Sequence, residues 1–448
     1  MKDILFELDE AALREIRERH FTATLSRVFA AHPFYRRLFA ERNILRDDVA
    51  GLKDLAKLPV TTKADYLSDP LGFRLGPDGA IDDDETIVWD IMYTTGSSGS
   101  PTPFVSTTYD FANILDLNRN MMRLRGVTES DSVLNLFPLT RYPHGAWIRA
   151  MQAPAAYNIP VIAAMPGREN VRRNAIVNRL DQVVAVAARS NATILWGVPS
   201  YIRRVVGRAQ EMGARLEKVR LVFVTGEGFG EDARAELIDR LRQVGAKDPR
   251  VSVSYGATEM QGGMVECAHG AGYHNPAPDQ FYFEAVDPET LVPVADGAEG
   301  LILLTHLDRR GSVMLRYSLG DVAKMTRGRC PQCGALTERL VSVPSRVDGF
   351  IKIKGMLVNP QAIVDVLRGE SALADFQAVV DRESDAPSAM DRLRLRVVAQ
   401  RDSDLAARIT SQVRAVAGVT PVVEFTTAED PLLAGRGWKA QPIVDLRK

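Results

Sequence analysis

The chain has 448 residues, of which 46% are hydrophobic and 25% charged, the composition of an ordinary globular protein. A formal net charge of −1 argues against a broad grip on nucleic acid, and no apolar run is long enough to offer a membrane span. The mixed, acidic start Met1-Lys2-Asp3-Ile4-Leu5 does not read as a secretory signal, and three sparse cysteines argue against a disulfide framework, so a reducing, cytoplasmic setting is expected.

Residues 8–30 have the spacing of an amphipathic helix that ends at His32-Pro33. From about 85 to 345, short apolar runs alternate with helical segments. Ser132–Phe137, Ala192–Trp196 and Val219–Val224 read as strands, and Arg168–Ser190 and Glu231–Val244 as helices. This alternation predicts a parallel α/β sheet. The pattern changes after about residue 347. Strands are expected at Ile351–Lys354, Ala374–Asp381, Arg392–Ala399, Val422–Thr426 and Ile443–Leu446, with helices at Pro360–Leu367 and Leu405–Ala417. The expectation is a large α/β domain over 1–346 and a small α+β domain over 349–448.

The most informative segment is Tyr93-Thr94-Thr95-Gly96-Ser97-Ser98-Gly99-Ser100-Pro101, which follows the apolar run Thr86–Met92. Glycines let backbone N–H groups approach an anion, and the hydroxyls add donors for phosphate oxygens. No Gly-Lys-Ser/Thr closes the segment, so it is not the P-loop of nucleotide hydrolases. A flexible linker is the bland alternative.

The segment resembles the phosphate loop of the adenylate-forming superfamily, which includes acyl-CoA synthetases, luciferases and peptide-synthetase adenylation domains. Tyr255-Gly256-Ala257-Thr258-Glu259 is similar to that family's aromatic-Gly-x-Thr-Glu motif, and Tyr317-Ser318-Leu319-Gly320-Asp321 to its Tyr-x-x-Gly-Asp motif. Arg346-Val347-Asp348-Gly349 resembles the domain hinge, and Gly437-Trp438-Lys439 the C-terminal Gly-Lys loop. His32-Pro33-Phe34-Tyr35-Arg36 and Leu58-Pro59-Val60-Thr61-Thr62-Lys63 resemble N-terminal signatures of the phenylacetate-CoA ligase branch. Two departures stand out. Ser100 occupies the place of a loop lysine, and Trp438 separates Gly437 from Lys439.

The resemblance implies ATP-dependent activation of a carboxylic acid to its acyl-adenylate, followed by transfer to CoA. Thr94, Thr95, Gly96, Ser97, Ser98 and Gly99 would hold the β- and γ-phosphates. Tyr255 would pack on adenine beside Gly256, Gly226 and Glu227, while Asp321 would bind the ribose hydroxyls and Arg346 ribose or phosphate. Thr258 would contact phosphate and Glu259 would help to hold magnesium. Lys439 would bridge the carboxylate and the α-phosphate, with Asp348 as the hinge of a mobile lid. Tyr142, His144, Trp196, Val198 and Gly262 fall where the family lines its acid pocket, and this wall suggests an aromatic acid; for such residues plain core packing is the alternative.

Cys330-Pro331-Gln332-Cys333 is a tight knuckle of the kind found in structural zinc sites. Cys267, His274, Cys330 and Cys333 would complete a closed Cys₃His set, with His269 as the other choice of fourth ligand. Some phenylacetate-CoA-ligase-like proteins carry a similar set. A redox pair and simple buried thiols are the alternatives. Rival functions are the same adenylation with a carrier-protein thiol or a nitrogen nucleophile as acceptor, and a non-catalytic zinc-stapled nucleotide-binding protein. These motifs name neither the acid nor the acceptor, and they leave an oligomer open.

Overall fold

The computed structural model describes residues 3–76, 85, 87–93, 102–139, 145–167, 177–226, 229–346, 351–353, 356–358, 360–382, 391–427, 429–434 and 443–447. Asp9 starts the first helix, α1 (Glu10–Ala31), by accepting the Ala12 N–H. His32 ends it and caps the next helix, α2 (Pro33–Glu41), with a side chain that accepts the Tyr35 N–H. The succeeding elements are α3 (Lys63–Ser68), β1 (Val88–Tyr93), β2 (Pro103–Thr107), α4 (Thr108–Leu124), β3 (Val133–Asn135), α5 (Gly145–Ala156) and β4 (Val161–Ala163). Then come α6 (Leu180–Ser190), β5 (Ile194–Gly197), α7 (Pro199–Glu211), β6 (Leu221–Thr225) and α8 (Glu231–Gln243). A run of strands follows: β7 (Arg250–Ala257), β8 (Gly262–Glu266), β9 (Tyr273–His274), β10 (Phe281–Val286), β11 (Glu299–His306), β12 (Tyr317–Thr326), β13 (Arg339–Leu340) and the two-residue β14 (Ser345–Arg346). The last elements are β15 (Ile351–Ile353), β16 (Met356–Val358), α9 (Pro360–Gly369), β17 (Asp375–Arg382), β18 (Asp391–Val398), α10 (Ser403–Ala417), β19 (Val422–Thr426), α11 (Pro431–Ala434) and β20 (Ile443–Asp445).

The chain forms two compact units. One comprises 1–165, 192–194 and 252–345; the other comprises 166–191, 195–251 and 346–448. In the first unit the strands run β10–β11–β12–β13–β9–β8–β7. The pairings β7–β8, β8–β9, β9–β13, β12–β13, β11–β12 and β10–β11 are antiparallel, whereas β3–β4 is parallel. The parallel sheet expected from about 85 to 345 is found at β3–β4, and the strands from β7 to β13 correct it with antiparallel pairings. Connections such as Thr258–Gln261 are too short for a crossover and can only return the chain antiparallel. Arg168–Ser190 is corrected too: Val177–Arg179 are not helical, and α6 begins at Leu180.

In the second unit, β19–β18–β17–β20 form a four-stranded sheet. The strict alternation of β18 sends Leu393, Leu395 and Val397 into a core with Ile363, Leu367, Leu405, Ile409 and Val413. Its other face presents Arg392 and Arg394 to Asp381, and Arg394 also to Glu424. No helix among the described residues is long and apolar enough to cross a membrane.

His32 has a measurable signature. Its ring is buried, Nδ1 accepts the Tyr35 N–H, and Nε2 donates to the Val313 carbonyl at 3.1 Å. Burial pushes its pKa down to about 4, and His306, also buried, is lowered by burial and by Arg309. The unfolded chain then binds more protons than the native one below about pH 6.5. This stabilisation is complete above that pH and is lost as pH falls towards 4. In His32→Asn, which keeps a capping acceptor, the fall in Tm between pH 6.5 and 4 should be clearly shallower than in wild type. An unchanged slope in thermal melts would contradict this.

Candidate nucleotide and acid site

The site in the first unit is built on the hairpin of β7 and β8. β7 ends in Tyr255-Gly256-Ala257, and a single helical turn, Thr258–Met260, follows. Gln261, at φ 52°, ends that turn; its N–H and side-chain Nε2 both donate to the Thr258 carbonyl, at 3.0 and 2.7 Å. β8 then pairs back, with Gly263 opposite Gly256. A Cβ on Gly263 would lie 2.7 Å from the Tyr255 carbonyl oxygen, so the close return requires glycine here.

β12 supplies Asp321. The Tyr255 hydroxyl donates to Asp321 Oδ2 at 2.7 Å, so the aromatic motif and the Gly-Asp motif meet side chain to side chain. Gly320, at φ 74°, precedes the carboxylate and takes a backbone conformation that a side chain would strain. Glu259 is held twice: Tyr317 OH donates to Oε1 at 3.0 Å, and His306 Nε2 donates to its carbonyl at 3.0 Å. Because His306 Nδ1 accepts the Met314 N–H, the tautomer protonated on Nε2 follows. Burial and the nearby Glu259 carboxylate raise the Tyr317 pKa, so this phenol remains a donor.

A buried polar network backs the hairpin. Arg149 donates through Nε to the Gln261 carbonyl and through Nη2 to Gln261 Oε1, and its guanidinium lies 3.5 Å from Asp90 Oδ2 on β1. Arg309 donates to the Val105 carbonyl and to Ser106 Oγ on β2, and the Ser106 hydroxyl in turn lies 3.5 Å from Gln261 Oε1. The two strands that flank the glycine- and hydroxyl-rich segment are thus tied to the turn that carries Thr258 and Glu259. Sequence reading missed Arg149, Gln261, His306 and the role of Tyr317. Tyr317 alone had a signal, since it lies inside the Tyr-x-x-Gly-Asp motif.

The structure brings Tyr255, Gly256, Thr258, Glu259 and Asp321 together. Gly262 starts β8, where an added Cβ would press on Leu117 Cδ2. In the second unit, Gly226, at φ 91°, follows β6. There Trp196 is buried, edge-on to Phe223 at 5.6 Å, and Val198 is buried ahead of α7. Phe137 is buried as well. Arg346 falls in β14. Thr94, Thr95, Gly96, Ser97, Ser98, Gly99, Tyr142, His144, Glu227, Asp348 and Lys439 lie outside the described residues.

The sulfur and nitrogen atoms of Cys267, His274, Cys330 and Cys333 lie within 4.8 Å of one another. His274 Nδ1 donates to the Gly272 carbonyl at 3.0 Å, which turns Nε2 towards Cys333 Sγ at 3.4 Å. That spacing is close to the roughly 3.5 Å edge of a tetrahedral zinc site with sulfur and nitrogen ligands. A hydrogen bond from Cys333 pulls the Cys267 thiol well down towards thiolate, the form that binds metal. In the knuckle, Gly334 N–H donates to the Cys330 carbonyl and Cys330 N–H to the Ala335 carbonyl. The donor set and spacing fit zinc.

The family model for AMP-binding enzymes matches residues 43–317. The chain is similar to phenylacetate-coenzyme A ligase of Thermus thermophilus, 25% identical over 382 residues, which cover 84% of this chain and 80% of that one. It is also similar to phenylacetate-coenzyme A ligase of Escherichia coli, 24% identical over 389 residues, 86% and 83% of the two chains. Among solved structures, 2-hydroxyisobutyryl-CoA ligase in the postadenylation state with 2-HIB-AMP superposes with a TM-score of 0.79 at 22% identity, over 99% of this chain and 91% of that one. An anthranilate CoA ligase in complex with anthranoyl-AMP gives 0.55 at 15% identity, over 77% and 64%. The chain belongs to the AMP-binding enzyme family, within the adenylate-forming superfamily. Within it the chain lies on the phenylacetate-CoA ligase-like branch, among AMP-forming acid–CoA ligases.

Asp321→Ala should weaken ATP binding by about 1.5–3 kcal/mol, the range for a hydrogen bond to a charged group. It also leaves the Tyr255 hydroxyl without the acceptor described above. Calorimetric titration with ATP checks this, and an affinity equal to wild type would remove Asp321 from the site.

Proposed function

We propose that the protein activates an aromatic, aryl or arylacetic, carboxylic acid as its acyl-adenylate and transfers the acyl group to CoA. The observation that carries this reading is the convergence of Tyr255, Asp321 and Glu259 on one hairpin in a chain of the AMP-binding family. A carboxylate oxygen attacks the α-phosphorus of ATP, and pyrophosphate leaves. The CoA thiol then attacks the acyl carbonyl, and AMP leaves. Two anions meet in the first step, so positioning and charge neutralisation set the barrier. Asp321 and Tyr255 would fix ribose and adenine, and Glu259 and Thr258 would face the phosphates. Magnesium, held through Glu259, would neutralise phosphate charge. The segment from Thr94 to Gly99 would cradle the β- and γ-phosphates, with Gly226 and Glu227 beside the adenine and Arg346 on ribose or phosphate. Lys439 would reach the reacting atoms from a lid comprising 349–448, hinged at Asp348 and separate from a nucleotide- and acid-binding domain over 1–346.

The aromatic assignment is supported by phenylacetate-coenzyme A ligases among the relatives and by the sequence positions of Tyr142, His144, Trp196, Val198 and Gly262. Zinc in the Cys267–His274–Cys330–Cys333 set would staple loops, since a closed site has no open position for chemistry. Such thiolate ligands suit a reducing cytoplasm. The test is a panel of aromatic and aliphatic acids with ATP, magnesium and CoA, read by mass spectrometry of the products. Aryl- or arylacetyl-CoA formed in preference is the expected result. Preference for aliphatic acids would overturn the substrate class. Acyl transfer only to a carrier-protein thiol or an amine would overturn the acceptor.

A further inference from the structure

The signatures His32–Arg36 and Leu58–Lys63 lie far in sequence from every residue given a role above, yet both converge on the segment Val313–Ser318. His32 Nε2 donates to the Val313 carbonyl. The Tyr35 hydroxyl accepts the Leu315 N–H at 2.7 Å and lies 3.0 Å from the Leu315 carbonyl, to which it donates. Thr61 pairs with the same segment as a one-residue parallel bridge: its N–H donates to the Arg316 carbonyl at 3.1 Å, and its carbonyl accepts the Ser318 N–H at 2.8 Å.

Between these anchors, Arg316 sits at φ 45°, a left-handed conformation that is uncommon outside glycine and is held only where surroundings enforce it. Its guanidinium explains the enforcement. Nη1 donates to the Ala56 and Leu58 carbonyls, Nη2 to the Leu291 carbonyl, and Nε to Glu284. The residue after this kink is Tyr317, buried, with its hydroxyl 3.0 Å from Glu259 Oε1. Oε1 is thereby occupied, and no donor among the described residues reaches Oε2.

We infer that Tyr317 is a positioning residue for the metal-binding carboxylate: the His32–Tyr35–Thr61 clamp and the strained Arg316 present its hydroxyl to Glu259 Oε1, which fixes the carboxylate so that Oε2 faces the cation of the metal–ATP complex. This rests on the assignment of Glu259 to magnesium. The N-terminal signatures then shape metal affinity at a distance, without touching substrate. A phenol is suited to the task. It donates one hydrogen bond, stays neutral, and does not compete with the cation as a second carboxylate or a lysine would.

The experiment measures Mn²⁺ binding to the whole protein with ATP present, by electron paramagnetic resonance, in wild type, Tyr317→Phe, Glu259→Gln and the double variant. ATP affinity without metal is measured alongside. Tyr317→Phe should weaken Mn²⁺ binding by about 10-fold, the lower end of what loss of an outer partner costs a metal site. Glu259→Gln should weaken it more, the double variant should match Glu259→Gln, and metal-free ATP affinity should stay within error of wild type in Tyr317→Phe. Tyr35→Phe, which leaves Tyr317 intact, should move Mn²⁺ affinity in the same direction by a smaller factor. If Glu259→Gln leaves Mn²⁺ binding unchanged, the assignment of Glu259 fails and the inference with it. If Glu259→Gln weakens binding but Tyr317→Phe equals wild type, Glu259 stands and the positioning role is overturned. Equal loss of metal-free ATP affinity in Tyr317→Phe would mark a merely structural residue and also overturn it.

Discussion

Lys439→Ala is expected to lower adenylation by ~10²–10³-fold, the usual cost of removing one donor aimed at developing transition-state charge. The carboxylate and the α-phosphate repel each other as they approach, and an ammonium between them offsets that repulsion where it is greatest. The effect should fall on kcat for adenylation. Thioester formation from supplied acyl-adenylate and CoA should be largely kept, because the attack of the thiol does not bring two anions together. If Ser100 stands in place of a loop lysine, one other cation is missing and Lys439 would matter more. Stopped-flow measurement of each half-reaction checks this. Equal rates in both half-reactions for variant and wild type would take Lys439 out of the chemistry and turn attention to the offset made by Trp438.

Cys330→Ser should remove bound zinc and lower stability by on the order of 4 kcal/mol, the range reached when a metal site is lost. The structure shows why the loss would spread. The knuckle is tied to the N-terminal segment, with Leu336 N–H donating to the Leu5 carbonyl and Arg329 to the Leu8 carbonyl. Beyond it, β13 pairs with β9, which holds His274, and with β12, which holds Asp321. Only one strand therefore separates His274 from the strand of the Tyr255 partner. The apparent KM for ATP should rise more than acid preference changes. Plasma emission spectroscopy of protein purified without chelator should find about one zinc per chain. Zinc-free protein with full stability and activity would leave the three cysteines as ordinary buried thiols.

What could be read from sequence followed the range of the physics involved. Helix periodicity and caps are local, so α1, α8, α9 and α10 lie close to where patterning puts them. The alternation of β18 was equally legible, since one face carries arginines and the other is aliphatic, whereas β17 is buried on both faces from Phe376 to Val380. Strand direction was not. An apolar run such as Val133–Asn135 looks alike in parallel and antiparallel surroundings, and only the short connections reveal the hairpins. The pairing of Tyr255 with Asp321 joins residues 66 apart in sequence, and that of Tyr317 with Glu259 joins residues 58 apart. Spacing alone could not produce either. The Cys and His set was legible because thiols are scarce here and one pair is adjacent in a knuckle. The Tyr35 hydroxyl and the Arg316 guanidinium act through backbone carbonyls, which no sequence pattern displays.

The most direct measurement of the proposed chemistry is exchange of labelled pyrophosphate into ATP in the presence of magnesium and each acid, without CoA. Reversible adenylate formation predicts exchange that depends on the acid and is strongest for aryl or arylacetic acids, and CoA added afterwards should yield AMP together with the acyl thioester. No exchange with any acid, or ADP and phosphate as the products of acid-dependent ATP consumption, would contradict it.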